Sequence, residues 1–175
     1  MELSTIGIAG LGLLGRGIAT SLLANGFRVI GLDTQPGSFA VASKHIASAI
    51  DDLIAHGASP QQLSLEWQDR LVNAQSVDGL APCDFVIESI PEDVDAKGVL
   101  FDRLESVVRS NCPIASNTSG LPITLLQSDR KHPERFVGMH WAEPCHLTRF
   151  LEIIRRAHGS PRLTPPRGSC LRGRS

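Results

Sequence analysis

The chain has 175 residues, 42% apolar and 20% charged, which is enough for one domain with a substantial core and argues against a disordered or fibrous protein. Its net charge of −1 hides a split: residues 155–175 hold six arginines and no acid, leaving 11 basic against 18 acidic residues, a net of −7, in positions 1–154. The four cysteines, Cys83, Cys112, Cys145 and Cys170, are scattered without a C-x-x-C pair, so no disulfide framework or zinc site is signalled, no metal is expected, and a reducing, cytoplasmic compartment fits.

The N-terminus, MELSTIGIAGLG, has an acid at position 2, no basic region and an apolar stretch broken by glycines, unlike a signal peptide or a membrane span. No membrane partner is expected. Residues 4–9, STIGIA, predict a short buried parallel strand. A helix over 14–25 stops at Gly26, a natural residue after a helix end, and FRVIGLD, 27–33, returns to strand character. These segments make one βαβ unit.

Residues 38–57 predict a long helix with apolar Val41, Ile46, Ile50, Leu53 and Ile54. Ser59-Pro60 starts a second helix running through Val72, since serine caps and proline suits the first helical position. A helical pair inserted in place of a short crossover is the kind of elaboration that usually carries function. The alternation then resumes with a strand at 83–90, a helix at 93–109 with Val94, Leu100, Leu104 and Val107 inward, and a strand at 113–119. A short helix at 121–127 and strands at 135–142 and 150–154 complete it. Strands alternating with helices imply an α/β fold, a doubly wound and mostly parallel sheet covered on both faces. The predicted domain is 1–154, and 155–175, with its prolines, glycines and arginines, reads as a basic tail outside the folded core.

GLGLLG places Gly10, Gly12 and Gly15 in the spacing G-x-G-x-x-G, after a predicted strand and at the start of a predicted helix. In that context Gly10 permits the tight turn, Gly12 admits a pyrophosphate to the backbone, and Gly15 allows close helix packing, while the helix N-terminus offers free N–H groups. Asp33 ends the second strand, where a carboxylate accepts from ribose hydroxyls and repels a 2′-phosphate, favouring NAD over NADP. This is the Rossmann pattern. FAD uses the same fingerprint, and the bland alternative is that the glycines only turn and pack the chain and Asp33 caps a strand.

Four blocks, IGIAGLGLLGRGIATSLLANGFRVIGLD, DFVIESIPEDVDAKGVLFDRLE, ASNTSGLPIT and RFVGMHWAEP with the following RFLEII, together resemble the NAD-binding domain of the L-3-hydroxyacyl-CoA dehydrogenases over residues 4–154. The resemblance implies that Gly10, Gly12, Leu13, Leu14 and Gly15 form the pyrophosphate loop and that Asp33 holds the ribose. It implies that Glu92 and Lys97 contact the nicotinamide half of NAD, that Ser119 touches cofactor and substrate, and that His140 is the catalytic histidine with Glu152 as its carboxylate partner. Helices 38–73 match the family's arm that helps receive CoA. The implied reaction is NAD-dependent oxidation of a (S)-3-hydroxyacyl-CoA to a 3-oxoacyl-CoA, as in fatty acid metabolism.

The chemistry agrees with the residue types. Oxidising a secondary alcohol needs a base for the hydroxyl proton while a hydride leaves carbon, and a neutral imidazole held by a carboxylate suits that task. His140 and Glu152 lie at corresponding places on two adjacent predicted strands, so a turn brings them together. Taken singly, each residue has a plainer reading: His140 as a satisfied core histidine, Ser119 as a strand terminator, Lys97 as a solvated helix residue. His132 and His146 read as surface or loop residues.

Two departures from the resembled pattern stand out. Glu143 occupies the place of an asparagine in the family's H-F-F-N-P, which puts a carboxylate at a cofactor-contacting position and keeps a small 3-hydroxy acid without CoA as an alternative substrate. The family's C-terminal helical domain has no counterpart in 155–175, which is expected to be a truncated or frameshifted end, with weak or no turnover, NAD binding retained and an exposed apolar face open to homo-oligomers. A non-catalytic NAD-binding module is the rival from another class, and contact of the arginine-rich tail with nucleic acid is disfavoured because no aromatic residues interleave it.

Overall fold

In the computed structural model, which describes residues 4–148 and 150–154, the chain runs β1 (Thr5–Ala9), α1 (Leu13–Ala24), β2 (Arg28–Leu32), α2 (Ser38–Ala55), α3 (Leu63–Arg70) and β3 (Leu71–Ala74). It continues with β4 (Phe85–Glu88), α4 (Val94–Val107), β5 (Ile114–Ser116), α5 (Ile123–Leu126), β6 (Phe136–Trp141) and β7 (Leu151–Ile154). The seven strands form one sheet in the order β3-β2-β1-β4-β5-β6-β7. All neighbours are parallel except β6 and β7, which run antiparallel. The tail at 155–175 lies outside the described residues.

Successive side chains of a strand point to opposite faces, and the sheet uses this to build two cores. In β2, Val29 joins the core under α1, α2 and α3 while Ile30 joins the core under α4 and α5; in β4, Ile87 and Val86 divide in the same way. Both faces are therefore apolar, which is why these strands read as continuous hydrophobic runs. On the first face α2 buries Ala42, Ile46, Ala49, Ile50 and Leu53, one stripe of a 3.6-residue period. Ile46 and Ile50 are fully buried, each a gain of about 1.5–3 kcal/mol. Val41, in the same apolar set by sequence, lies off that stripe and is exposed.

Two expectations need correction. The second inserted helix was expected to run through Val72, but α3 ends at Arg70 and Leu71–Ala74 pairs with β2 as a parallel edge strand. Nothing local punctuates Arg70-Leu71; the unpaired edge of β2 decides, and the helical pair α2–α3 is the crossover that delivers the chain to it. In α4 the inward stripe is Lys97, Phe101 and Leu104, continued by Val108, whereas Val94 is exposed. The stripe was missed because it contains a lysine.

Candidate functional site

Strand order reverses between β1 and β4, with β2 and β3 on one side and β5 and β6 on the other. A parallel sheet opens a crevice at its carboxyl ends at such a point. Here the crevice is a cleft of about 1080 Å³. Its walls include Gly12 after β1, Asp33 after β2, Glu92 after β4, Ser119 after β5 and His140 on β6.

The floor at β1 is made of backbone. Gly10 has φ 97°, and a Cβ there would stand 2.5 Å from Ser89 O. A Cβ on Gly15 would stand 1.9 Å from Gly10 O, so only glycine lets α1 close on the turn. A Cβ on Gly12 would meet nothing within 4 Å. Gly12 thus faces open space inside the cleft, the cradle a phosphate needs. Asp33 anchors the loop: its Oδ2 accepts from Leu11 N–H at 2.7 Å and its Oδ1 from Gln35 N–H at 2.9 Å. The first α1 bond is Arg16 N–H to Gly12 O, which leaves the N–H groups of Leu13 and Leu14 free among the described residues for an anion. These residues fit a dinucleotide: an anion cradle, with a carboxylate one strand away whose oxygens each keep a lone pair for a ribose hydroxyl.

The opposite wall is made of side chains. Glu88, at the end of β4, is fully buried and accepts from Lys97 Nζ at 2.6 Å, from Ile90 N–H at 2.7 Å and from Ser116 Oγ. Lys97 is also fully buried, donating to Ile90 O at 3.2 Å and lying 3.4 Å from Glu92 Oε2. Glu92 Oε1 accepts from Thr118 Oγ1 at 2.7 Å, Ser119 N–H at 2.9 Å and Gly120 N–H at 3.4 Å. Partial burial opposes the charge on Glu92, but Thr118, Ser119 N–H, Lys97 and Gly120 N–H outweigh it and hold its carboxyl below the ordinary value. Asn117 ties three strands together, donating to Ser89 Oγ at 3.1 Å and accepting from Trp141 N–H at 3.0 Å.

His140 and Glu152 are directly paired in the β6–β7 ladder, with Nδ1 and Oε2 3.6 Å apart. His140 lines the cleft and is partly buried; the Glu152 side chain is half exposed beside it. Of the residues expected at the cofactor, Gly10, Gly12, Leu13, Leu14, Asp33, Glu92 and Ser119 line the cleft, with Gly15 supporting it from below; of the expected catalytic pair, His140 lines it and Glu152 does not. Lys97 and Glu143 do not line it. Lys97 is not the solvated residue of its plainer reading, because it falls on the buried stripe of α4 with Glu88 opposite. Glu143 turns toward α1, its Oε2 3.7 Å from Cys145 Sγ and 3.6 Å from a Cβ built on Gly17. The carboxylate expected beside the nicotinamide is therefore off the cleft. Glu88 and Asn117 were not singled out by sequence, although an acid closing an otherwise apolar strand, FVIE, is a signal of a paired buried charge.

Known proteins place this site in a family. The description "3-hydroxyacyl-CoA dehydrogenase, NAD binding domain" matches residues 5–165, running past residue 154 where the resemblance was expected to end. The 5-formyl-3-hydroxy-2-methylpyridine 4-carboxylate 5-dehydrogenase of Mesorhizobium japonicum is 33% identical over 85% of this chain and 48% of its own. The 3-hydroxybutyryl-CoA dehydrogenase of Bradyrhizobium diazoefficiens is 31% identical over 86% of this chain and 51% of its own. The crystal structure of (S)-3-hydroxybutyryl-CoA dehydrogenase from Ralstonia eutropha superposes with a TM-score of 0.82 at 30% identity, covering 87% of this chain and 54% of that one. The chain spans about half the length of these relatives. The match over residues 5–165 shows that the chain belongs to the 3-hydroxyacyl-CoA dehydrogenase family and carries its NAD-binding domain.

Proposed function

We propose that this chain supplies the cofactor and proton-transfer half of an NAD-dependent dehydrogenase that interconverts a 3-hydroxyacyl-CoA and its 3-oxoacyl-CoA. The observation that carries the reading is the placement of His140 opposite Glu152 at the mouth of the same cleft that holds the glycine loop. NAD, when bound, supplies the acceptor for the hydride leaving C3. The chain's own residues do the rest. The free N–H groups of Leu13 and Leu14 hold the pyrophosphate, and Asp33 holds the ribose.

His140 takes the proton of the substrate hydroxyl on Nε2, since Nδ1 is directed to Glu152. Glu152 stabilises the imidazolium that results and fixes the tautomer of the neutral ring. Its 3.6 Å separation from Nδ1 needs to shorten by a few tenths of an ångström to become a hydrogen bond, as catalytic pairs commonly do when ligand binds. Ser119, on the loop held by Glu92, is placed to orient the substrate oxygen.

The test is NADH titration with acetoacetyl-CoA reduction on the full chain and on His140→Gln. Binding of NADH in both, with acetoacetyl-CoA-dependent NADH oxidation, however slow, in the parent alone, supports the reading. NADH binding with no oxidation in the parent at any acetoacetyl-CoA concentration favours a module without catalysis; no binding at all removes the cofactor assignment. A second reading, a dehydrogenase of a small acid without CoA, is favoured by the relative named for a pyridine carboxylate substrate. Turnover of free hydroxy acids with none of acetoacetyl-CoA selects it.

A further inference from the structure

Among the described residues, seven buried side-chain nitrogen or oxygen atoms have no hydrogen-bond partner, and four of them belong to segments packed on one another. These are Arg16 Nε on α1, His45 Nε2 on α2, Trp141 Nε1 at the end of β6 and His146 Nδ1 just beyond it. The rings of His45 and His146 meet edge to face with 6.2 Å between centroids. Cys145 brings their segment onto α1, its Cβ and Sγ each 3.3 Å from a Cβ built on Gly17, the residue after Arg16. Side chains alternate across a strand, so the Trp141 indole faces the core under α1 and α2 while His140 faces the cleft. Arg16 Nε and Trp141 Nε1 can only donate, and a buried donor without an acceptor is costly.

Burial first, then the charges of Arg16 and His146, hold the His45 imidazole below its ordinary value, and Glu143 opposes them. The cluster thus has one permanent cation, two imidazoles and one exposed carboxylate, Glu143, which is directed to the Cys145 thiol at 3.7 Å and leaves the four nitrogens unpaired. None of the four residues lines the cleft, but Leu14 does, and its carbonyl oxygen lies 3.9 Å from Cys145 Sγ, so the cluster borders the cleft across that residue. Each of the four is only partly buried, so the cluster opens at the surface.

We infer that Arg16, His45, Trp141 and His146 form a seat for a carboxylate, and that the substrate carries a free carboxylate besides its hydroxyl. The inference rests on the dehydrogenase reading above and narrows its substrate class. One full cation near a carboxylate matches a singly charged planar group better than a doubly charged phosphate, and guanidinium and indole N–H donors suit its two oxygens. An anion seated there favours a protonated imidazole, so binding moves the titration of His45 upward.

The test follows the imidazole proton resonances of the full chain by NMR at constant ionic strength, with saturating NADH occupying the glycine loop. The probes are 3-hydroxybutyrate, butan-2-ol, which keeps the alcohol and lacks the carboxylate, and inorganic phosphate. The expected result is saturable movement of His45 and His146 with 3-hydroxybutyrate, none with butan-2-ol, and His56 and His132 unmoved throughout. Phosphate is expected to bind about tenfold more weakly than 3-hydroxybutyrate, and Arg16→Met to weaken 3-hydroxybutyrate about tenfold. His146→Gln, with His45 still reporting, is expected to weaken it about threefold, and Glu143→Gln, which removes the nearby carboxylate, to tighten it about threefold. No saturable movement would leave the four nitrogens to water and overturn the inference. So would equal movement at His56 and His132, tighter binding of phosphate, or parent-like affinity in both Arg16→Met and His146→Gln. Movement of His45 and His146 in a chain that binds no NADH would support the carboxylate seat and instead remove the cofactor assignment.

Discussion

The two ends of the cleft are built from different materials. Around Asp33 and α1 the contacts are backbone: glycines without Cβ atoms, free N–H groups and one carboxylate that accepts from Leu11 N–H. Around β4, β5 and β6 they are side chains, Glu88, Lys97, Glu92, Asn117 and His140, whose partners come from other elements of the fold. A backbone-built end tolerates little change in steric bulk at its glycines and depends on one charge, Asp33; a side-chain-built end depends on several charges that hold one another.

Changes of charge and of bulk at the two ends separate them. The largest effect is expected from Lys97→Met, which strands the Glu88 carboxylate in the core and should cost about 3–5 kcal/mol of stability in urea unfolding. Most of that loss should return in Glu88→Gln/Lys97→Met; no recovery would show that Lys97 matters for packing rather than for charge. At the backbone end, Gly15→Ala drives a Cβ into Gly10 O and should cost about 3 kcal/mol, at the upper end of overpacking penalties, by the same measurement. Stability close to the parent there would mean the α1 turn can shift.

Gly12→Ala should be the opposite case, since its Cβ meets nothing in the protein. Unfolding should stay within about 0.5 kcal/mol of the parent, as for unstrained surface changes, while NAD affinity falls about tenfold by titration. Equal affinity would remove Gly12 from the phosphate cradle. The smallest effect concerns a carboxylate outside both ends. Asp84 accepts from the N–H groups of Ser4 and Thr5 and pairs with Arg109, in that order of influence, and these hold its carboxyl at about 2 against an ordinary 3.8. Because the folded value is the lower one, the stabilisation is full above pH 3.8 and fades as pH falls through about 2. Asp84→Asn should flatten the acid limb of a stability–pH profile over that window, and an unchanged limb would assign acid sensitivity elsewhere.

Much of the first end could be read along the chain. Gly10, Gly12 and Gly15 follow one another within a turn, and Asp33 closes the next strand, so strand-helix context was enough to assign them roles. His140 and Glu152 were legible for a different reason, as matching positions of two short strands with a turn between. Lys97 was not, because a charged residue early in a helix reads as solvated until its buried partner is known. Glu143 misled in the other direction: its place beside Pro144 matched a ligand-contacting position, yet its carboxylate lies against Gly17 on α1. The edge strand β3 was hidden for want of any local signal after Arg70.

By itself the sequence determined the alternation of strands and helices, the glycine turn between β1 and α1 and the carboxylate that closes β2, because backbone sterics and hydrophobic period act over a few neighbouring residues. The tertiary structure alone decided that β2 gains β3 as a partner, that the Glu143 carboxylate turns to α1 rather than into the cleft, and that Lys97 is buried against Glu88. Those outcomes depend on which distant group meets each donor once water is excluded, and a buried charge takes the partner that the packed elements bring to it.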